Sequence, residues 1–242
     1  MWLFERPIAH RGLHNETLTE NSMGAFRNAL EHGYNIEIDV HLLKSGEVVI
    51  FHDGSLNRVC GKDVKITDLT LDDIKGDEYL LPSGEHIPLL TELLDLIGDG
   101  KTGILLEIKF AGFSFALEKA LYELIKGKES FIALQSFSPW TMKWFRENAP
   151  EFYNGILSTG ALLPLTRLMH KKIKPDFIAY DVKFVNGKGV QKLVNDNNYK
   201  LLCWTVRTEA NIEAAKKAGA NNIIFEKLDL DAVGFKLTDL KA

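Results

Sequence analysis

Three carboxylates interrupt two apolar segments of the sequence, at a spacing that suits metal chemistry. In the segment NIEIDV, residues 35–40, Glu37 and Asp39 alternate with isoleucines, and Glu107 ends the apolar run of residues 103–107. Side chains alternate along a strand, so the two carboxylates of the first segment share one face. Lys109 shares a face with Glu107 by the same period. Oxygen ligands of this type suit Mg²⁺ or Ca²⁺ better than zinc, and pairing with Arg or Lys is the alternative.

Two histidines follow apolar segments close to the acidic one. His10 precedes Arg11-Gly12, and His52 comes directly after the apolar run of residues 48–51. An imidazole titrates near pH 6.5, which suits proton transfer, and two of them beside a metal site indicate an acid–base pair. His14 is a weaker candidate. The remaining histidines are predicted to be mostly solvated, and they are His32, His41, His86 and His170.

Eight short apolar segments alternate with helical patterns and would have to position these groups. The candidate strands are Pro7–His10, Tyr34–Val40, Gly103–Glu107, Phe131–Ser136, Tyr153–Leu157, Phe177–Asp181, Leu201–Thr205 and Asn222–Phe225. The candidate helices between them are Asn21–His32, Leu89–Ile97, Phe115–Lys126, Pro139–Asn148, Leu162–Lys171, Gly189–Asn197 and Glu209–Ala218. Alternation at this spacing predicts an α/β fold, a (β/α)₈ TIM barrel, with an open doubly wound sheet as the alternative. A barrel would direct Glu37 and Asp39 inward, near the carboxyl end of their strand.

One stretch breaks this alternation. Residues 48–51 predict a short extra strand, and residues 54–88 are rich in charged and turn residues without long periodicity. We interpret them as a small insertion after the second strand that could form a wall of the site. No linker or low-complexity tract divides the chain, so a single domain over residues 1–242 is predicted.

Composition excludes several classes of protein. The 242 residues carry a formal charge of −4, with 45% hydrophobic and 26% charged residues, as in ordinary globular proteins. An acidic balance argues against non-specific binding of nucleic acid. Cys60 and Cys203 cannot form a disulfide framework, and no secretion signal is recognised at the N-terminus, so a cytoplasmic protein with reduced thiols is expected. No run of 18 apolar residues predicts a membrane span. The oligomeric state stays open.

A series of short motifs, taken in order, resembles the glycerophosphodiester phosphodiesterase family. The motifs are His10-Arg11-Gly12, Glu20-Asn21-Ser22, Ala25-Phe26, residues 36–40, Lys44-Ser45-Gly46, His52-Asp53, Leu56-Asn57-Arg58, Leu106–Lys109, Gln135-Ser136-Phe137 and Trp204-Thr205-Val206. They run from residue 7 to about residue 226. Each motif is weak alone, but their order and spacing are specific.

The resemblance implies a TIM barrel with an insertion after the second strand, and it assigns roles to individual residues. It implies that a divalent metal, Mg²⁺ or Ca²⁺, is bound by Glu37, Asp39 and Glu107. His10 and His52 would be the general acid–base pair. Phosphate contacts would come from Arg11 and Lys109. Trp204 would pack against the glycerol moiety, although a core aromatic under the barrel mouth is the alternative.

Two positions depart from the family pattern. Arg207 stands where Asn usually follows Trp-Thr-Val, and Phe225-Glu226 stands where Thr-Asp is usual. Neither position is expected to touch the metal or histidine set. Arg207 could contact an anionic substrate, and a surface charge at a helix start is the alternative.

The implied reaction is hydrolysis of a glycerophosphodiester, a small-molecule substrate, to sn-glycerol 3-phosphate and an alcohol. His52 is preferred as the acid and His10 as the base. Attack by water and attack by the glycerol 2-hydroxyl, through a cyclic phosphate, both stay open. One alternative is lysophospholipase D-like hydrolysis, with lipid-facing residues sought at Leu80-Leu81 and at residues 162–165. Another is a phospho-ligand-binding barrel without turnover, against which the complete set of carboxylates and histidines argues.

Overall fold

Eight parallel strands close into a barrel in the structure, a computed structural model that describes residues 1–98, 100 and 102–241. The strands are β1 (Ile8–His10), β2 (Asn35–Leu42), β4 (Ile104–Ile108), β5 (Ile132–Ser136), β6 (Tyr153–Ser158), β7 (Phe177–Asp181), β8 (Lys200–Val206) and β9 (Asn222–Phe225), with β3 (Val48–Ile50) antiparallel to β2. Each parallel strand pairs with the next in chain order, and β1 pairs with both β2 and β9, which closes the barrel. The predicted (β/α)₈ fold is therefore confirmed.

Nine α-helices are found in the described residues. They are α1 (Met23–Glu31), α2 (Asn57–Cys60), α3 (Leu71–Lys75), α4 (Leu90–Ile97), α5 (Ala116–Ile125), α6 (Pro139–Asn148), α7 (Leu163–Ile173), α8 (Lys188–Asn197) and α9 (Glu209–Lys217). The first helix begins two residues later than predicted because Ser22 is its N-cap, where the side chain accepts a hydrogen bond from the Ala25 N–H. Helix α7 continues two residues beyond the predicted end, to Ile173.

The inside of the barrel changes from apolar to polar along its axis. Near the amino ends of the strands, inward side chains such as Ile8, Leu105 and Leu202 form one apolar cluster, and a 3₁₀ turn at Trp2–Phe4 packs against it. Toward the carboxyl ends, the inward positions carry His10, Glu37 and Glu107 instead. The core between the strands and the helices is a separate and larger apolar cluster. Functional groups are thus concentrated at the carboxyl end, where barrel enzymes hold their active sites.

The segment between β3 and α4 contains only short elements, namely α2, α3 and 3₁₀ turns at Ile66–Asp68 and Asp77–Tyr79. It buries its own apolar cluster, in which Leu56, Ile66 and Ile74 pack against β3. This segment lies where the sequence lacks long periodicity. No helix in the described parts of the chain has the length and apolar character needed to cross a membrane.

Candidate active site

Strand register brings the predicted carboxylates to one place. His10 on β1 is paired with Glu37 on β2, and Asp39 on β2 is paired with Glu107 on β4. Gln135 on β5 is in turn paired with Glu107. Inward side chains of neighbouring strands therefore form a continuous polar layer at the carboxyl end of the barrel.

Glu37, Asp39 and Glu107 lie close enough together to share one cation. They are all buried, and one carboxylate oxygen from each lies within 4.8 Å of the others. Burial and the charges of Asp39 and Glu107 raise the pKa of Glu37 well above its ordinary value. Burial and Asp39 likewise raise the pKa of Glu107 to about 7. Carboxylates this crowded and desolvated are stabilised in their charged form by a cation between them, so the donor set fits a hard divalent ion.

Lys109 and Arg11 lie against these carboxylates. Lys109 Nζ is 2.7 Å from Asp39 Oδ1 and also hydrogen-bonds Glu107, while Arg11 Nε is 3.4 Å from Asp39 Oδ2. Burial raises the pKa of Asp39, but the charges of Lys109, His52 and Arg11 outweigh it and hold the pKa below its ordinary value. The two cations are therefore placed at the acidic cluster and pair with its carboxylates, which was the alternative to a metal site in the sequence.

The loop after β1 uses an unusual backbone conformation to reach the cluster. Arg11 and Gly12 have φ values of 56° and 79°, and the Arg11 N–H donates to Glu37 Oε2 at 3.1 Å. A Cβ at Gly12 would come within 2.9 Å of Ala25, so only glycine fits this close approach. Asn21 is buried and donates from Nδ2 to Asp39 Oδ2 at 2.9 Å. The sequence reasoning assigned no role to Asn21, although its motif was recognised.

His52 is held by its neighbour in the chain. Its Nδ1 lies 2.5 Å from Asp53 Oδ1, and Arg58 Nε donates to Asp53 Oδ2 at 2.6 Å. Arg58 also contacts Glu20 at 2.6 Å, and Glu20 accepts from Arg11 at 2.7 Å. Burial lowers the pKa of His52. The short helix α2 thus connects the insertion to the site through Arg58.

His10 is held by a residue from the far end of the chain. Its Nδ1 hydrogen-bonds Glu226 Oε2, and Arg207 Nε donates to Glu226 Oε1 at 2.6 Å. The expectation that Arg207 and Glu226 stay clear of the histidine set is therefore wrong. Arg207 directly follows β8 and Glu226 directly follows β9, so barrel closure next to β1 brings both to His10. The signal available in the sequence was the departure of both positions from the family pattern.

The other histidines differ in their surroundings. His32 and His86 are exposed, as predicted. His170 is buried, with Nδ1 at 2.9 Å from the Tyr199 hydroxyl, and His41 is partly buried with Nε2 at 3.2 Å from the His52 carbonyl, so these two are not solvated. His14 is partly buried, and its Nε2 lies 3.7 Å from Glu226 Oε2.

A cavity of about 200 Å³ opens over the acidic cluster. Its lining includes His10, Arg11, Glu37, His52, Glu107, Gln135, Phe137, Asp181, Lys183, Trp204 and Arg207. Trp204 is partly buried, with its ring 5.5 Å from that of Phe137 in an edge-to-face arrangement. It therefore supplies an apolar wall of the cavity rather than a fully buried core contact.

Large exposed apolar side chains occur at only one of the two segments singled out in the sequence, residues 162–165, where Leu165 is 40% exposed. Leu81 is 3% exposed and belongs to the apolar cluster of the insertion, so Leu80-Leu81 is not a lipid-facing pair. Phe110, Phe113 and Trp140, which we call the aromatic rim, are 47%, 68% and 46% exposed. Their rings are in contact, with centroids 5.3 Å apart for Phe110 and Phe113 and 6.0 Å apart for Phe113 and Trp140. The sequence reasoning missed this surface because its residues come from two separate segments, the β4–α5 loop and the first turn of α6.

The fold and the site together define a class. A closed parallel barrel that gathers carboxylates, histidines and cations around a cavity at its carboxyl end is a TIM-barrel enzyme. Residues 10–230 match the profile of the glycerophosphoryl diester phosphodiesterase family.

Known proteins agree with this match. The chain is 31% identical over 235 residues to a glycerophosphodiester phosphodiesterase of Caldanaerobacter subterraneus subsp. tengcongensis, covering 90% of this chain and 92% of that protein. It superposes with a TM-score of 0.76 and 25% identity on a phosphodiesterase of Oleispira antarctica in complex with its product sn-glycerol-3-phosphate, over 90% of this chain and 91% of the other. A human lysophospholipase D is 44% identical over 63 residues, which cover 26% of this chain and 20% of that protein.

The chain belongs to the glycerophosphoryl diester phosphodiesterase family. It is an enzyme of that class, a phosphoric diester hydrolase.

Proposed function

We propose that this enzyme hydrolyses glycerophosphodiesters to sn-glycerol 3-phosphate and a free alcohol in the cavity at the barrel mouth. The observation that carries the proposal is the convergence of three buried carboxylates and two carboxylate-held histidines on that cavity. The similar enzyme of Oleispira antarctica, which binds sn-glycerol-3-phosphate as its product, supports this choice of substrate class.

Glu37, Asp39 and Glu107 would hold the divalent ion. Their hard oxygen atoms favour Mg²⁺ or Ca²⁺, and the raised pKa values of Glu37 and Glu107 reflect negative charge that such a cation would neutralise. When bound, such an ion neutralises charge on a phosphoryl oxygen as the diester reacts. Lys109 and Arg11 would add positive charge beside it, where they stabilise the developing negative charge.

The two histidines would divide the proton transfers. His10 presents Nε2 to the acidic cluster, 3.9 Å from Glu37 Oε2, while its Nδ1 is bound to Glu226. This orientation suits a base that removes the proton from the attacking hydroxyl. His52, on the more open side, would donate a proton to the departing alkoxide. The attacking group is either water or the glycerol 2-hydroxyl, and a transient cyclic phosphate distinguishes the second route.

Trp204 and Phe137 would contact the carbon skeleton of glycerol. Their edge-to-face pair forms an apolar wall of the cavity. Arg207 and Lys183 also line the cavity and would favour an anionic substrate.

The test is turnover of sn-glycero-3-phosphocholine, followed by ³¹P NMR, with Mg²⁺ or Ca²⁺ present. We expect sn-glycerol 3-phosphate and choline, with wild-type rates in the Glu118→Gln control, whose buried carboxylate lies outside the site and bonds Thr141. Absence of turnover with every divalent metal tried would contradict the proposal, since a non-catalytic barrel would bind the diester unchanged.

The aromatic rim favours a second candidate function, hydrolysis of lysophospholipids. Phe110 directly follows Lys109, and Trp140 lies three residues beyond Phe137, so the rim adjoins the cavity. Exposed aromatic rings in contact with one another bind apolar chains and lipid surfaces. The partial similarity to a human lysophospholipase D is consistent with this activity.

A pair of substrates separates the two activities. We expect Phe113→Ser/Trp140→Ser to raise KM for lysophosphatidylcholine about tenfold or more and to leave hydrolysis of glycerophosphocholine unchanged. Leu168→Ser is the matched control, since Leu168 is 69% exposed in the middle of α7, outside the rim. Equal loss on both substrates, or no lysophosphatidylcholine hydrolysis by the wild type, would remove the second function.

The organisation of the chain is part of the proposal. Residues 1–242 would act as one catalytic domain, in which the insertion contributes Arg58 to the site. The free thiols of Cys60 and Cys203 support a reducing, cytoplasmic setting.

A further inference from the structure

The two residues that depart from the family pattern meet each other at His10. Arg207 Nε lies 2.6 Å from Glu226 Oε1, and the other oxygen, Oε2, hydrogen-bonds His10 Nδ1. The two oxygens of Glu226 are therefore occupied by different partners. His10 and Glu226 are both 8% exposed, so few water molecules can compete for these bonds.

The chemistry of the partners fixes the state of His10. A guanidinium can only donate hydrogen bonds, and an ionised carboxylate can only accept them. Burial raises the pKa of Glu226, but hydrogen bonds from His10 and Arg207 outweigh it and hold the pKa below its ordinary range. The proton of a neutral His10 therefore lies on Nδ1, and Nε2 carries the lone pair that faces the acidic cluster, 3.9 Å from Glu37 Oε2.

We propose that Glu226 is a positioning residue that selects the base-competent tautomer of His10, and that Arg207 fixes the orientation of Glu226. The proposal rests on the proposed function, in which His10 takes a proton through Nε2. His14 lies 3.7 Å from Glu226, beyond hydrogen-bond length, and takes no part in fixing the tautomer.

An amide in place of the carboxylate provides the sharpest test. In Glu226→Gln, the guanidinium of Arg207 can only donate hydrogen bonds, so it would bond the amide oxygen. The amide NH₂ would then face His10 Nδ1. That NH₂ donates, so the proton of His10 would move to Nε2 and the base would be lost. In histidine–carboxylate pairs of hydrolases, an amide that selects the wrong tautomer lowers kcat by about 10⁴-fold. We expect a loss in kcat of about 10²–10⁴-fold with KM changed less than about threefold.

Releasing the amide should recover activity. In the double variant Glu226→Gln/Arg207→Ala, the amide is free to turn its oxygen toward His10 Nδ1 and restore the tautomer. We expect this variant to exceed Glu226→Gln by about tenfold in kcat, and Glu226→Asp to retain most of the wild-type rate. If the role of the pair were merely structural, removing the Arg207 side chain from Glu226→Gln would lower activity further. A double variant less active than Glu226→Gln would overturn the role given to Arg207.

The tautomer itself is measurable without turnover. ¹⁵N NMR of the imidazoles at one pH, assigned by loss of the signal in His10→Gln, should show protonated Nδ1 in the wild type and protonated Nε2 in Glu226→Gln. Controls are Glu118→Gln and Arg146→Gln, which remove a buried carboxylate and an Arg–Asp pair of 2.7 Å outside the site. Both should match the wild type in tautomer and kcat, and thermal melting checks that every variant is folded.

The outcomes separate this proposal from the proposed function. If the wild type shows no turnover, the proposed function is wrong, and the NMR comparison still decides whether Glu226 sets the tautomer of His10. A wild type that turns over, with a folded Glu226→Gln equal to it in kcat or in His10 tautomer, overturns the positioning role alone.

Discussion

His10 and His52 are each held by a carboxylate that is held in turn by an arginine, but the two arrangements are built differently. At His52 the carboxylate is the next residue and the arginine is five residues beyond it. At His10 the partner Glu226 lies 216 residues away and Arg207 precedes it by 19. The same arrangement of histidine, carboxylate and arginine is thus formed once by residues close in sequence and once by residues that barrel closure brings together.

The two arrangements also differ in solvent access. The side chain of His10 is 11% exposed and that of Glu226 is 9% exposed, against 32% for His52 and 25% for Asp53. Charged hydrogen bonds gain strength as water is excluded. The buried pair should therefore fix one tautomer firmly, as a base requires, whereas the open pair leaves His52 accessible to protons from solvent, as an acid requires.

Removing the histidines should produce the largest effects and can separate base from acid. We expect His10→Ala and His52→Ala each to lower kcat for glycerophosphocholine by about 10²–10⁴-fold. A diester with p-nitrophenol as its alcohol needs no acid for departure, so His52→Ala should regain most of its rate on it and His10→Ala should not. Steady-state rates on both substrates measure this. Equal recovery by both variants would reverse or remove the assignment.

Replacing the carboxylates that hold the two histidines should show the effect of the difference in burial between the two pairs. We expect Asp53→Asn to lower kcat by about tenfold, less than Glu226→Gln, because solvent can replace part of the lost bond at the open histidine. Parallel kinetic measurements on the two amide variants give the comparison. A greater loss of kcat in Asp53→Asn than in Glu226→Gln would show that burial does not determine how strongly each carboxylate supports its histidine.

The arginine beside His52 should affect binding more than chemistry. Arg58 contacts Glu20, which also accepts from Arg11, a proposed phosphate contact. We expect Arg58→Gln to raise KM about threefold to tenfold with kcat nearly unchanged, since the Arg58 side chain is half exposed and such ion pairs are weak. Arg27→Gln, at an exposed position of α1, serves as the control. A fall in kcat with constant KM would contradict this and would show that Arg58 acts on the chemical step through His52 instead.

The smallest expected effect is on stability as a function of pH. The pKa of Glu226 and that of Asp53 are both lowered, because hydrogen bonds from arginine and histidine outweigh the opposing effect of burial. A lowered carboxyl pKa contributes stability that is present above its unfolded value of about 4 and is lost as pH falls. Urea unfolding should show that Glu226→Gln and Asp53→Asn have a lower free energy of unfolding than the wild type at pH 7. This deficit should shrink toward pH 3, and the change should be larger for Glu226→Gln. A deficit that grows on acidification would contradict the sign of these shifts.

Sequence reasoning predicted what depends on local periodicity. The alternation in residues 35–40 was enough to direct Glu37 and Asp39 inward, because the side chains of a strand alternate and the helix-facing side of a barrel must be apolar. The strands Phe177–Asp181 and Asn222–Phe225 and the helix Pro139–Asn148 were predicted with their observed bounds. Adjacent residues such as His52 and Asp53 could also be read directly.

Contacts made by closure of the barrel could not be predicted in the same way. Glu226 reaches His10 only because β9 pairs with β1, and no local pattern encodes which side chains then face each other. The aromatic rim combines residues from the β4–α5 loop and the start of α6, whose separate segments show no common period. Leu80-Leu81 was a candidate lipid-facing pair under the lysophospholipase alternative, yet the turns of the insertion bury a small apolar core that includes Leu81.

The central claim is that an acidic cluster with a divalent ion, served by two oriented histidines, cleaves the diester. Its most direct test is the rate of glycerophosphocholine hydrolysis by metal-stripped enzyme, before and after addition of Mg²⁺ or Ca²⁺, for the wild type and Glu37→Gln. The account predicts that chelation abolishes activity, that one of these ions restores it in the wild type, and that neither restores it in the variant. Full activity of Glu37→Gln in the presence of EDTA would contradict the account.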